Sequence, residues 1–447
     1  MNQVLIEQNK EVPLAYFRWI FLEGAASDTR AQEGLNNYAL ELFRRGSKNK
    51  DRRQINQYLA EVCSSVSVQV SDEMSTFAAL LPSQSLEAFS NRLVEVVQSC
   101  DPNAEEMDDL KKEIVEEQKV SLENPLNLCS YLFRRAFFED DSYGNFIVGN
   151  PSALETFDEA LSAKKRNDLL AKQGYLVMGG DVDEGQGQSI ATIFNSFSDG
   201  SSVGEIYKPY QQLSGPRLAL CHDPNQDQAT VIVGWSKPRW THEEYMMAQL
   251  LEKMLSREYS SLLCQTFRQR AGLTYGVYGS HRLTLRGSQF VCRYQTASKF
   301  APQFLEDLLT VFDTFSKGEG SFKVRDQDGQ TIEGFVDLSN KAIDQCRTKI
   351  INSMPFLSYS PQAKLARRLE EIFYDSPVRD EKWMKKRYLE VKSEELQNMS
   401  QQLFEKSGFV VAIVDNMEKN GSTYRQIQNW TKVSEILEKK SILCGQI

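Results

Sequence analysis

A chain of 447 residues is longer than one ordinary hydrophobic core organises, so two or more domains are expected. An apolar share of 41% beside a charged share of 25% is that of a folded, water-soluble protein, and no run of eighteen apolar residues is present to span a membrane. The net charge of −9, with no Lys/Arg-rich run, argues against nucleic acid as the main partner, because phosphate binding needs clustered cations.

In chain order, the start Met1-Asn2-Gln3-Val4 has no basic stretch followed by an apolar one. The chain as given therefore reads as cytoplasmic, or as bacterial periplasmic if a leader has been removed. Residues 13–22, rich in aromatic and branched side chains, predict a strand. Helices are expected over about 31–45 and 51–62, then strands over 65–70 and 74–81. Ser83 is placed to N-cap the helix that follows. The second half repeats this order, with a strand at 229–235 and helices over 242–256 and 258–269. Strands at 275–280 and 287–295 come next, then a helix over 300–316. Between 317 and 337 lies an insertion-like stretch whose Asp326-Gln327-Asp328-Gly329-Gln330 reads as a hairpin turn.

Each half closes alike. Gly174-Tyr175-Leu176-Val177-Met178-Gly179-Gly180-Asp181 resembles Gly408-Phe409-Val410-Val411-Ala412-Ile413-Val414-Asp415, 234 residues further on. Both are Gly, an aromatic, a buried apolar run and Asp, which points to a duplicated domain. The join is expected near 200–215, among turn residues. The fold class that follows is α+β, with two homologous domains (1–207 and 208–447), each a mostly antiparallel sheet packed with helices.

Eight cysteines, at 63, 100, 129, 221, 264, 292, 346 and 444, form no Cys-x-x-Cys pair. They read as free thiols in a core and favour a reducing compartment. The three histidines, His222, His242 and His281, are too far apart for a helical i, i+4 ligand pair.

The most informative segment is Gly34-Leu35-Asn36-Asn37-Tyr38-Ala39-Leu40-Glu41-Leu42-Phe43-Arg44-Arg45-Gly46-Ser47. It resembles the signature helix of the pitrilysin/insulinase peptidases, whose inverted zinc motif His-x-x-Glu-His lies between Gly-Leu and Arg-Gly-Thr. Four further matches carry the resemblance over nearly the whole chain: Gly24–Asp28, Glu113–Glu117, the strand ending Gly180-Asp181, and Leu263–Tyr275. The branch it is most similar to is the two-domain, processing-peptidase type.

The resemblance implies a metal site that has lost its chemistry. Asn37 and Glu41 stand at the two His positions and Leu40 at the general base. Glu117, eighty residues beyond Asn37, stands at the third ligand. An amide and two carboxylates suit a hard cation such as calcium or magnesium better than zinc, and Leu40 cannot take a proton from metal-bound water. Glu41 is no substitute base, since one residue along a helix is about 100° of rotation. The plainer reading, preferred here, makes Glu41 and Glu117 ordinary surface or interface carboxylates, with no metal in this chain.

By the same resemblance, Arg268 and Tyr275 are the pair that holds a substrate's backbone, with Gly272 letting helix turn into strand. The plainer alternative is a solvated helix Arg and a half-buried strand Tyr. Val66, Ser67 and Val68 correspond to the edge strand that pairs with extended substrate, or are a routine amphipathic strand. Tyr278 and His281, just past Tyr275, are placed to line the same cavity.

Together these readings predict a non-catalytic, substrate-binding subunit of a heterodimeric zinc metallopeptidase. It would supply Arg268 and Tyr275 to a homologous partner that carries the zinc, and act on peptide or unfolded protein. The competing reading is a non-enzymatic scaffold or peptide-binding protein of the same fold. An active homodimer ranks third, because no copy brings a His pair.

Overall fold

The computed structural model describes residues 3–139, 141–172, 174–195, 197, 213–237, 240–256, 258–318, 320–357, 359–374, 381–404, 408–427, 430–433, 437–439 and 442. Cys444 and positions 200–212 of the expected join lie outside the described residues.

The first sheet contains β1 (Gln3–Gln8), β2 (Leu14–Phe21), β3 (Ser65–Val70), β4 (Ser75–Pro82) and β5 (Gly174–Gly180), in the order β1-β5-β2-β4-β3. β1 runs parallel to β5, and the other neighbours are antiparallel. The second sheet is built from β6 (Arg217–His222), β7 (Gln228–Lys237), β8 (Val277–Leu283), β9 (Ser288–Ala297) and, beyond the hairpin β10 (Gly320–Arg325) and β11 (Thr331–Val336), β12 (Phe409–Asp415). Its order is β6-β12-β7-β9-β8, with β6 parallel to β12 and the rest antiparallel. Two short strands, Lys432–Val433 and Leu437–Glu438, extend it beside β6. The same order of five strands, with the first of them parallel to the last in both sheets, makes the chain a duplicated α+β fold. β5 and β12, the two apolar runs 234 residues apart, each lie between two neighbouring strands, where both faces are covered.

Each half sends one helix onto the other's sheet. Pro125–Phe138 lays Leu128, Cys129, Leu132 and Phe133 against Ala219, Ile232, Val410 and Ala412 of the second sheet. Pro361–Phe373 lays Leu365 and Leu369 against Leu5, Ile20, Tyr175 and Val177 of the first. Both helices start with Pro after a side-chain cap, Asn124 and Ser360 respectively. The seven described cysteines are all free, five of them buried.

Three expectations are corrected, and two strands are added. The helix expected over 31–45 is a 3₁₀ turn, Arg30–Gln32, and then an α-helix over Leu35–Leu42 only. Gly34 breaks it at φ +94°, and a Cβ there would sit 2.2 Å from Gly149 Cα, so close backbone approach dictates both the residue and the break. Ser83 does not cap: its Oγ donates to Asp181 Oδ2 at 3.0 Å, and a 3₁₀ turn over Ser83–Ser85 leads into the helix Leu86–Gln98. The helix expected over 258–269 begins only at Leu262 and widens to π geometry over Cys264–Arg270. β1 and β6, both parallel partners of a central strand, were not anticipated from the sequence.

Candidate functional site

The helix Leu35–Leu42 packs across the helix Ala104–Glu123. Tyr38 Oη donates to Met107 O at 3.1 Å, and Leu35, Tyr38 and Leu42 share a core with Met107, Leu110 and Ile114. Arg45, at the end of the motif, forks onto Glu113 at 2.9 and 2.5 Å, with Arg52 adding a third bond at 2.8 Å. The hydrogen bonds from Arg45, then Arg52, hold the Glu113 carboxyl down at about 2. The motif helix is therefore firmly anchored at both ends.

The base and ligand positions do not make a zinc site. Leu40, at the base position, is fully buried among Ile55, Phe77 and Phe89. Asn37 Nδ2 donates to Val148 O at 3.4 Å. Glu41 is tied to Arg44 at 2.5 Å. The exposed Glu117 carboxylate has no hydrogen bond or ion pair among the described residues, while its neighbour Gln118 turns inward to Gly149 O at 3.0 Å. An amide turned to a carbonyl and a carboxylate neutralised by a guanidinium do not form a tetrahedral donor set for zinc. Among the described residues, no group of three or more His, Cys, Asp or Glu could hold a metal ion.

The segment carrying Arg268 and Tyr275 is built differently. Its helix ends in π geometry, which occurs frequently at functional sites. Gly272 at φ +66° turns the chain, with Leu273 N–H reaching back to Phe267 O at 2.9 Å. Leu263, Phe267, Ala271 and Leu273 anchor the segment in the second core. On this rigid base Arg268 is exposed, its guanidinium 5.7 Å from the ring centre of Tyr259. Tyr275 is 85% exposed. The hairpin tip docks beside them, Gln327 N–H donating to Ala271 O at 3.1 Å. Tyr278 points outward from β8, but His281 does not share its face. Odd spacing along a strand turns a side chain to the other side, and His281 is held inward by the buried carboxylate of Glu252, between Trp240 and Tyr245.

β3 is the edge of the first sheet, as β8 is of the second. Val66, Val68 and Val70 turn half-buried side chains to the core, while Ser65, Ser67 and Gln69 stand outside. Ser71 N–H donates to Met74 O at 2.8 Å, which sets the ladder so that the peptide groups of Val66, Val68 and Val70 face away from β4. The Val66 carbonyl accepts from Arg44 Nη1 at 3.1 Å. The outward peptide groups of Val68 and Val70 have no hydrogen-bond partner among the described residues.

One group of residues went unseen in the sequence. The β3–β4 turn carries Asp72 and Glu73, both buried, into the second domain. Asp72 pairs with Arg134 at 2.6 Å and with Arg282. Burial works against its charge, yet the two guanidinium groups hold its carboxyl below the usual range. Glu73 accepts from Tyr143, from Tyr374 Oη at 2.9 Å and from Leu285 N–H at 2.6 Å, and burial pushes its carboxyl up. An acid pair in a tight turn is an ordinary sequence feature, and only its partners 62 to 301 residues away give it a role.

Comparison with known proteins agrees with this geometry. The family described as "Insulinase (Peptidase family M16)" matches residues 3–150, and "Peptidase M16 inactive domain" matches residues 172–322. An "Uncharacterized zinc protease" of Rickettsia felis is 24% identical over 269 residues, 59% of this chain and 64% of that protein, so the alignment spans less than two thirds of the relative. The solved "peptidase M16 inactive domain" of Pseudomonas fluorescens superimposes with a TM-score of 0.78 at 16% identity, covering 98% of this chain and 96% of the other. A chain of "Complex III2 from Candida albicans" gives a TM-score of 0.69 at 11% identity, covering 95% and 97%. No helix among the described residues is long and apolar enough to cross a membrane.

Proposed function

We propose that this chain, which belongs to the insulinase family of peptidases (M16) and lacks its zinc motif, is a substrate-holding subunit without catalysis of its own. A homologous partner would carry the zinc, and this chain would present Arg268 and Tyr275 to peptide or unfolded protein held between the two. The observation that carries this reading is an asymmetry. Leu40 is sealed in a core and Glu41 is neutralised by Arg44, whereas Arg268 and Tyr275 stand exposed on a rigid, π-wound segment. A guanidinium and a phenol there can donate to a peptide carbonyl and stabilise charge growing on its oxygen in a neighbouring site.

The test is hydrolysis of an unfolded substrate by the chain alone, by a zinc-bearing partner recovered with it from native extract, and by the pair. Activity is expected only in the pair and should be lost with a chelator. Arg268→Ala should lower the pair's kcat/KM by about 100-fold and Tyr275→Phe by about tenfold, the range for removing one donor to a developing charge. Neither should shift the melting temperature, because both side chains are exposed. Chelator-sensitive cleavage by the chain alone, or unchanged activity in both variants, would overturn the proposal. The competing reading is a scaffold of the same fold, favoured by the likeness to a chain of the Candida albicans complex. It predicts stable association with no restored hydrolysis.

A further inference from the structure

An extended peptide added to β3 would bond with the outward peptide groups of Val66, Val68 and Val70, as an additional strand does at any open edge. At Val66 the acceptor is already taken. The guanidinium of Arg44 donates to the Val66 carbonyl at 3.1 Å, offering the N–H that the next rung of an incoming strand would bring. Arg44 is not free to swing away. Its Nη2 donates to Glu41 Oε2 at 2.5 Å, and the two side chains are only 30% and 20% exposed, so water screens the pair less than it does a surface ion pair. The Nε of Arg44 is buried without a hydrogen-bond partner among the described residues, a cost sustained by the two bonds that the rest of the guanidinium makes.

We infer that Arg44 is a stop that ends the peptide-binding edge at Val68, and that Glu41, at the position of a lost metal ligand, holds the stop in place. The inference rests on the reading of β3 as the docking edge. It makes Arg44 the residue that sets the register of bound peptide: Val68 and Val70 supply full rungs, and the strand cannot advance past Val66. Leu40 and Asn37 take no part, so the metal-site helix keeps a role in peptide handling through its last turn alone.

Amide exchange of the full chain at single-residue resolution tests this, with reduced, alkylated α-lactalbumin as the unfolded probe. The probe should slow exchange at Val68 and Val70 by about tenfold and leave Val66 unchanged, in keeping with one added backbone hydrogen bond per rung. In Arg44→Ala the probe should slow Val66 as well and bind about three- to tenfold more tightly. Glu41→Gln, which keeps the shape of the pair and removes its charge, should move in the same direction by a smaller factor, and it carries the test if Arg44→Ala does not fold. Slowing of Val66 in the unmodified chain, or no gain at Val66 in either variant, would overturn the stop and leave β3 as the docking edge. No slowing at any of the three valines would overturn the docking reading and the stop together.

Discussion

β3 and β8 occupy the same place in two copies of one fold, and they differ in what covers their outer backbone. On β8 two of the four outward amides are filled from the helix His242–Leu255 and the residue that follows it: Gly279 N–H donates to Ser256 Oγ at 2.7 Å and His281 N–H to Glu252 Oε2 at 3.2 Å. On β3 the helix in the same position, Leu35–Leu42, is followed by Arg44, which reaches one carbonyl. The second domain has thus capped the two central amides of its edge, which interrupts the ladder another strand would need, as natural sheets do to avoid pairing with stray chains. The first has left two valines open. An open edge on a folded protein invites aggregation, so its presence on one domain and absence from the other argues for use.

The largest expected effect comes from breaking the closed edge. Glu252→Ala leaves the half-buried His281 ring and its amide without their buried acceptor, and should cost about 3 kcal/mol in denaturant unfolding. It should also expose β8 to pairing, seen as concentration-dependent self-association in sedimentation. A stable, monomeric variant would show that Glu252 does not close that edge.

The next effect separates the domains by pH. The helix of the second domain starts from a neutral hydroxyl, Thr241, in a capping box with Glu244. Its counterpart starts beside Asp28, a buried carboxyl that accepts from Asn36 N–H at 3.1 Å and from Asn36 Nδ2 at 2.6 Å. Burial raises Asp28 to about 7, outweighing Lys165 and the two bonds from Asn36. A folded pKa above the unfolded value means that the folded state binds the extra proton. Stability from this group is whole below about pH 4 and falls as pH rises towards 7. Asp28→Asn, which can still accept from Asn36 N–H, should flatten the pH dependence of unfolding between pH 4 and 7 by roughly 2 kcal/mol. An unchanged slope would place the titration elsewhere.

The contrast between the edges was only half visible in the sequence. The alternation Ser-Val-Ser-Val-Gln-Val announces an amphipathic strand, and β3 falls on Ser65–Val70 as expected, because a period of two survives any tertiary context. The duplication was legible for the same reason, through two apolar runs long enough to demand central strands. The capping residues were not. Glu252, Ser256 and Arg44 act through contacts that depend on where a helix crosses a strand, and no local pattern encodes that crossing. The broken helix at Gly34 and the displaced cap at Ser83 failed alike, since the deciding neighbours, Gly149 and Asp181, lie about a hundred residues away. The π winding of Cys264–Arg270 is likewise not legible, because its apolar spacing fits a plain helix as well.

The smallest effect on stability is also the sharpest test of the open edge. Pro at position 68 removes an N–H that the ladder does not use, since the rungs to β4 run through Ser67 and Gln69. Val68→Pro should therefore cost only about 1 kcal/mol, chiefly for the lost contact of a half-buried side chain. Peptide binding should respond far more strongly. A docked strand would lose one of its two donors and meet a ring in its path, so affinity for an unfolded probe should fall by more than tenfold. No equivalent change is open to β8. Its Gly279 N–H is already bonded to Ser256, and a Cβ added there would lie 2.5 Å from that hydroxyl. If Val68→Pro bound the probe as the unmodified chain does, the difference between the two edges would be one of local packing alone, and the peptide would have to be held elsewhere.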